Sequence, residues 1–280
     1  MVTDTETNTV YFSDLLRTDA KHEFCYNEII SALNKHGISH KLLPKTNDIW
    51  ARDYMPIQTA SGNFIEYRYD PDYLLKTNER HLKSYPDIVC DAIGLRTTKT
   101  DIILDGGNVI KSSKSVIIVD KAVLENKYKY SKEELEYKLI ELLEVDHVIW
   151  IPWDKNEYLG HSDGMVRFIN NSEVLINHYF DDCSKQFRNK FYSALENQGL
   201  KIHKLKFDIK NPDKDLNWAY INYLQIGELI LVPKFGIEED GLALEQIFDY
   251  FPNCKVESIN MRSVVLNDGA LNCISWTIRE

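Results

Sequence analysis

Three observations predict a mixed α/β fold for this 280-residue chain. Short β-branched apolar runs recur along it, amphipathic stretches alternate with them, and five polar motifs return at nearly equal steps. Val116–Val119, His147–Ile151, Val174–Ile176 and Leu229–Val232 are too short and too β-branched for buried helices and are predicted as strands. Cys25–Leu33, Ser131–Leu143, Phe187–Leu195 and Leu242–Phe251 carry apolar residues at helical spacing. Ser131 is placed to cap its helix, with Glu134 three residues on to complete a capping box. Gly94 and Gly199 stand where helices would end in a left-handed residue. Polar Lys-rich stretches at Lys76–Lys83, Lys127–Glu134 and Asn211–Asp215 read as surface loops or helix starts rather than domain boundaries.

The slower period comes from Trp50-Ala-Arg-Asp-Tyr-Met-Pro56, Asp105-Gly-Gly-Asn-Val-Ile110, Gly160-His-Ser-Asp-Gly-Met-Val-Arg-Phe168, Ala219-Tyr-Ile-Asn-Tyr-Leu224 and Asn267-Asp-Gly-Ala-Leu-Asn-Cys273. With Asp53, Asn108, Asp163, Asn222 and Cys273 as markers, the steps are 55, 55, 59 and 51 residues. Each motif runs into a strand-like segment. Near-equal spacing suggests repeated supersecondary units around a shared axis, with the motif ends converging on one central site.

Composition narrows the class. Lys and Arg number 33 against 43 Asp and Glu, a net charge of −10, and 44% of residues are hydrophobic. That surface repels nucleic acid and anionic membranes and attracts small cations. The polar, acidic N-terminus lacks the basic start and apolar core of a secretory signal, and no apolar run reaches the length of a membrane span. The expected location is the cytoplasm. Cys25, Cys90, Cys183, Cys254 and Cys273 are odd in number and widely spaced, with no CxxC pair, which argues against a disulfide framework or a cysteine-rich zinc site.

The motif residues offer chemistry, each beside a plainer reading. Cys273 follows a turn-rich segment and precedes an apolar one, so it is either a thiol at the mouth of a cleft or a small buried apolar side chain. His161 and Asp163 are spaced i, i+2, which in extended chain puts both on one face as an acid-base and binding pair; otherwise they decorate a solvated turn. Asp53 either serves a site or pairs with Arg52 or caps a turn. Asp48 suits a turn. Asp105-Gly106-Gly107-Asn108 is a tight turn, or glycines that leave a carboxylate open to a ligand. Together, carboxylates, Trp50, His161 and Cys273 suit a planar cation with an alkyl tail. Carboxylates pair with guanidinium, an aromatic ring covers the cation or its stem, a thiolate attacks the electrophilic carbon, and a His supplies a proton to departing ammonia. A divalent metal on His161, Asp163, Asp53 and Asp105 is the competing reading, weakened by the absence of an HExxH or HxH motif. No cofactor is expected.

These five motifs, with Val232-Pro-Lys-Phe-Gly236, resemble in order the agmatine deiminase and bacterial peptidylarginine deiminase family, among the guanidine-modifying enzymes of the pentein fold. The resemblance covers most of the chain. It implies a single domain over 1–280: a five-bladed α/β propeller of ββαβ-type modules around a pseudo-fivefold axis. It implies Cys273 as nucleophile, His161 as general acid-base, and Asp53 and Asp163 gripping the guanidinium. Trp50, Asp105, Asn108 and Arg52 are the expected substrate-binding residues. The implied reaction is hydrolysis of a small cationic guanidino compound, or of arginine within a peptide, to a ureido product and ammonia through a covalent thiouronium. Agmatine would give N-carbamoylputrescine. Amidino transfer to an amine on the same fold, and non-catalytic guanidinium binding, are the alternatives. A homo-oligomer is compatible with the family. Three features depart from its pattern: Asn272 stands where His usually precedes the Cys, the residues after Cys273, Ile-Ser-Trp-Thr-Ile-Arg-Glu, differ from the usual agmatine deiminase ending, and the section before Trp50 is short.

Overall fold

The computed structural model describes residues 1–75, 78–155 and 157–280. Fifteen strands are present among them: β1 (Thr9–Ser13), β2 (Ser39–Leu43), β3 (Ile57–Gln58), β4 (Phe64–Arg68), β5 (Thr98–Ile103), β6 (Ile110–Lys111), β7 (Ser115–Val119), β8 (His147–Ile151), β9 (Val166–Asn170), β10 (Glu173–Asn177), β11 (Lys201–Leu205), β12 (Leu224–Ile226), β13 (Leu229–Lys234), β14 (Lys255–Asn260) and β15 (Ser275–Ile278). They form five three-stranded sheets, β3-β4-β5, β6-β7-β8, β9-β10-β11, β12-β13-β14 and β15-β1-β2.

Four sheets repeat one pattern along the chain. A short hairpin makes the first strand antiparallel to the second, and a helical crossover makes the third parallel to the second. A parallel pair cannot be closed by a tight turn, so each such step needs a helix. Helices over Pro86–Ala92, Lys132–Leu143, Lys185–Glu196 and Glu239–Tyr250 supply it. The fifth sheet has the same pattern but takes β15 from one end of the chain and β1 and β2 from the other, with the helix Glu23–Lys35 between the latter two. The result is the five-bladed α/β propeller expected above.

The apolar runs read as strands become the middle strands β7, β10 and β13, and β8 beside them. The middle strands are buried along nearly their whole length, as expected where helices cover the sheet. The helices bury one stripe each. Leu135, Leu139 and Leu143 lie four residues apart and point inward, while Ser131 caps the same helix as expected, with Glu134 returning the bond to its backbone. Gly94 and Gly199 have φ of +68° and +72°, the left-handed ends anticipated for them. Leu139→Ala would cost about 2–5 kcal/mol, because the rigid sheet beneath could not close over the lost volume.

The chemistry-bearing markers fall where the period implied. Asp53, Asn108, Asp163, Asn222 and Cys273 each precede, by two to four residues, the first strand of a sheet: β3, β6, β9, β12 and β15. These strands form the inner edges of the blades, and β6 packs against β9. Of the Lys-rich stretches, Lys76 and the neighbouring Thr77 lie outside the described residues. Among the described residues, no helix is long and apolar enough to cross a membrane.

Candidate active site

Cys273 is buried at the start of β15's approach, 6% exposed. Its thiol donates to Asp163 Oδ2 at 3.3 Å and receives the side-chain N–H of Asn222 at 3.2 Å. Asn222 Oδ1 in turn accepts from the backbone N–H groups of Asn272 and Cys273 at 3.1 and 3.2 Å. One side chain thus fixes both the Cys273 loop and the sulfur. Asn272 donates to the same Asp163 oxygen at 2.7 Å, so Asp163 is oriented by two neighbours.

His161 immediately precedes the turn Ser162–Met165, which carries Asp163. The two side chains share a cleft. The backbone N–H groups of His161 and Gly160 donate to the partly buried Glu157 carboxylate at 3.1 and 2.6 Å. On the His161 ring, Nε2 lies 3.1 Å from Asp105 Oδ2 and Nδ1 lies 3.8 Å from Asp53 Oδ1. Both nitrogens therefore face carboxylates, which selects the doubly protonated imidazolium.

Asp105-Gly-Gly-Asn108 forms the tight turn between strands β5 and β6 that was one of its two readings, and its glycines also allow a close approach. A Cβ on Gly107 would stand 2.6 Å from Asp53 Oδ1 and 2.7 Å from His161 Nδ1; on Gly106 it would meet the Arg52 carbonyl oxygen at 2.0 Å. They let backbone pass between Asp53 and His161, and the Gly107 N–H donates to Asp53 Oδ1 at 3.0 Å.

The electrostatics follow from burial and crowding. Burial would discharge His161, but Asp53, Asp105 and Asp163 outweigh it and push its pKa up to about 10. Burial pushes the Asp53 carboxyl up to about 8, opposed by His161 and reinforced by Asp105 and Asp163. Burial, then the charges of Asp163 and Asp53, hold the Cys273 thiol well above its ordinary range. The sulfur at rest is a neutral thiol among carboxylates.

His161, Asp163 and Cys273 open onto a cleft of about 730 Å³. Tyr158, Tyr179 and Trp218 supply apolar wall, and Asp215, Asp268 and Lys214 charged rim. Among the described residues no group of three or more His, Cys, Asp or Glu side chains is arranged to hold a metal ion.

The remaining expected residues are placed differently. Asp53 and Asp105 stand behind His161 and reach the cleft through it. Trp50 does not line the cleft; its ring packs on Gly269, where a Cβ would lie 2.2 Å from it. Asn108 is a latch: it accepts from the Val119 N–H at 2.7 Å and donates to the Val119 carbonyl at 3.4 Å, closing the end of β7. Arg52 does not face the cleft or pair with Asp53. Neighbours in the short helix Ala51–Tyr54 point about 100° apart, and Arg52 turns to the Asn272 carbonyl at 3.4 Å and to a second cavity. Asn222 and Glu157 were not singled out as site residues. Asn222 was signalled only by its register with the other markers, and Glu157 by nothing in the sequence.

A model of the Porphyromonas-type peptidyl-arginine deiminase family matches residues 2–278. The Enterococcus faecalis protein named "Putative agmatine deiminase" is 28% identical over 220 residues, 67% of this chain. The matched part spans 60% of that relative's own length. Among solved structures, the C. jejuni agmatine deiminase superposes with a TM-score of 0.79 at 16% identity, covering 100% of this chain and 95% of the other. DDAH from Pseudomonas aeruginosa, in complex with citrulline, gives 0.62 at 14% identity, covering 97% and 99%. At these identities the structural likenesses speak for the fold.

Proposed function

Because the chain belongs to the Porphyromonas-type peptidyl-arginine deiminase family, we propose that it is a cysteine hydrolase that converts a guanidinium group to a ureido group and releases ammonia. The observation that carries this reading is the pairing of the Cys273 thiol with Asp163, 3.3 Å away, on a cleft shared with a charged His161. A thiol held neutral by carboxylates is a poor nucleophile toward a neutral substrate. A planar cation lodged against Asp163 cancels that field, lowers the thiol's pKa and presents an electrophilic carbon in the same step. The site is therefore suited to a substrate that brings its own positive charge.

The chemistry then runs in two halves. The thiol proton passes along the contact to Asp163 as sulfur attacks the guanidinium carbon. Imidazolium His161 protonates one nitrogen of the adduct, the C–N bond breaks, and ammonia leaves a cationic thiouronium on Cys273. Neutral His161 then takes a proton from water, hydroxide adds to the same carbon, and the C–S bond breaks as the hydroxyl proton of the adduct passes to the leaving sulfur. The ureido product departs, and Asp163 gives up the proton it took from the thiol to the released ammonia, which restores the starting thiol, carboxylate and imidazolium. The Asn222 amide N–H, 3.2 Å from sulfur, supports the departing thiolate.

The rim favours a substrate with a second positive charge. At the rim, among the described residues, Asp215 and Asp268 stand against Lys214, which suits an alkyl amine tail better than an α-carboxylate. Agmatine, the compound in the names of the relatives, has that form. The test is a panel of agmatine, arginine and arginyl peptides assayed for ureido product and ammonia. Agmatine should be turned over best, and Cys273→Ala should reduce ureido formation to background. Full activity in that variant refutes the assignment. Product that appears only when an amine acceptor is added, without ammonia, assigns amidino transfer instead.

A further inference from the structure

Strand β9 joins two cavities. It starts beside Gly164 and Met165 of the cleft and ends at Asn170, which lines a second cavity of about 330 Å³. This one is cationic. Arg52, Lys111 and Arg167 all line it, with Asp4 and Glu6 as the acidic members. Glu6 is engaged by Arg279 at 3.2 Å and by Thr3 at 2.8 Å. Asp4 is shared between Arg167 at 2.8 Å and Lys111 at 3.2 Å. One carboxylate thus pairs with two of the three cations that line the cavity. Burial lowers the pKa of Arg52 and of Lys111, with Asp4 opposing in both cases.

Two donor groups on this wall lack protein acceptors. Arg52 makes its one side-chain hydrogen bond through Nε, to the Asn272 carbonyl, and its terminal nitrogens have no carboxylate within ion-pair distance among the described residues. Gln225 is 4% exposed, lines the cavity, and has a buried Nε2 with no partner. Arg167, by contrast, is satisfied by Asp4 and by the Tyr223 carbonyl at 2.8 Å. An unpaired buried amide N–H is costly, and a guanidinium fork matches the oxygens of a carboxylate or phosphate.

We propose that this cavity binds a small oxyanion, a phosphate or carboxylate group held by the Arg52 fork, Gln225 Nε2 and Lys111. The site is separate from the catalytic cleft; its lining residue Asn272 donates to Asp163 of the cleft. The inference does not rest on the proposed reaction.

The test is calorimetric titration of the whole protein with inorganic phosphate and, separately, malonate, at ionic strength matched with sodium chloride. At least one of them should bind one to one and raise the melting temperature as its concentration rises. Gln225→Leu and Lys111→Gln should each weaken that binding about tenfold or more, since each removes a buried hydrogen bond or charge from the anion. Cys273→Ala should leave it unchanged. Circular dichroism identifies whichever variant folds, and one suffices for the comparison. No heat and no stabilisation from either ion in the wild-type protein overturns the site. Unchanged affinity in the folded variants also overturns it, because the ion then sits elsewhere.

Discussion

The two ends of the inner strands carry opposite chemistry. At the cleft, Asp53, Asp105 and Asp163 surround one imidazole. At the other end, Arg52, Lys111 and Arg167 surround one carboxylate, Asp4. Sequence neighbours are split between them: Asp53 turns to His161 while Arg52 turns away. Opposite charges adjacent in sequence are readily read as a pair, yet one step of about 100° around a helix sends Arg52 to the second cavity and Asp53 to His161 behind the cleft. Each end therefore keeps unneutralised charge, which a paired arrangement would have cancelled. Such a separation is unfavourable for folding and useful for binding ions of opposite sign.

The comparison can be broken hardest at Asp163. Asp163→Asn keeps the shape but removes the charge that a guanidinium would meet and that accepts the thiol proton. Ureido formation should fall by about a thousandfold, as for loss of a buried charge-assisted contact in the transition state. Steady-state kinetics reads this, and a loss below tenfold would place the substrate's charge elsewhere. Gly107→Ala tests whether the glycine acts by spacing. Its Cβ must displace Asp53 or His161, and misplacement of about 1 Å costs about a hundredfold in rate. Near-native activity would show that the loop can yield.

A smaller effect sharpens the claim about charge at the thiol. Because carboxylates and burial raise the Cys273 pKa, alkylation by neutral chloroacetamide should be slow at neutral pH and still accelerating above pH 9. The sign follows from the thiolate, whose population grows as pH approaches the raised pKa. Cationic chloroacetamidine should label Cys273 at least about tenfold faster at pH 7.5, because one adjacent positive charge lowers a pKa by about 1–3 units. Peptide mass mapping against half-buried Cys254 provides the reference. Equal rates for the two reagents would remove the argument for a cationic substrate.

Much of the scaffold was legible in the sequence because each blade repeats the same local problem. A β-branched run such as His147–Ile151 needs covering, and a capped stripe such as Leu135, Leu139 and Leu143 covers it. The register of Asp53, Asp163 and Cys273 was legible because each precedes an inner strand. The direction of a side chain within a turn was not. Arg52, Asn108 and Trp50 occupy motif positions but act through packing or backbone bonds, and only the tertiary arrangement decides that. Asn222 was visible as a beat in the period, whereas its grip on sulfur depends on two loops about fifty residues apart. Glu157 caps the His161 turn from a segment with no pattern of its own. Asn272, the departure from the family's usual His, also proved informative: its amide reaches Asp163 in the cleft while its carbonyl receives Arg52 behind.

The blade that joins β15 to β1 has a consequence for folding. Thr9 pairs with Ile278, and Phe12 with Ser275, so this blade closes only through a contact between strands that most of the sequence separates, the kind of pairing that loop-closure entropy makes slow. The loop holding Cys273 runs directly into β15, whereas Asp53, Asp105 and His161 stand on segments that lead into other blades. Local opening of the β1–β15 pair would release the sulfur first and leave the carboxylates and imidazole in place.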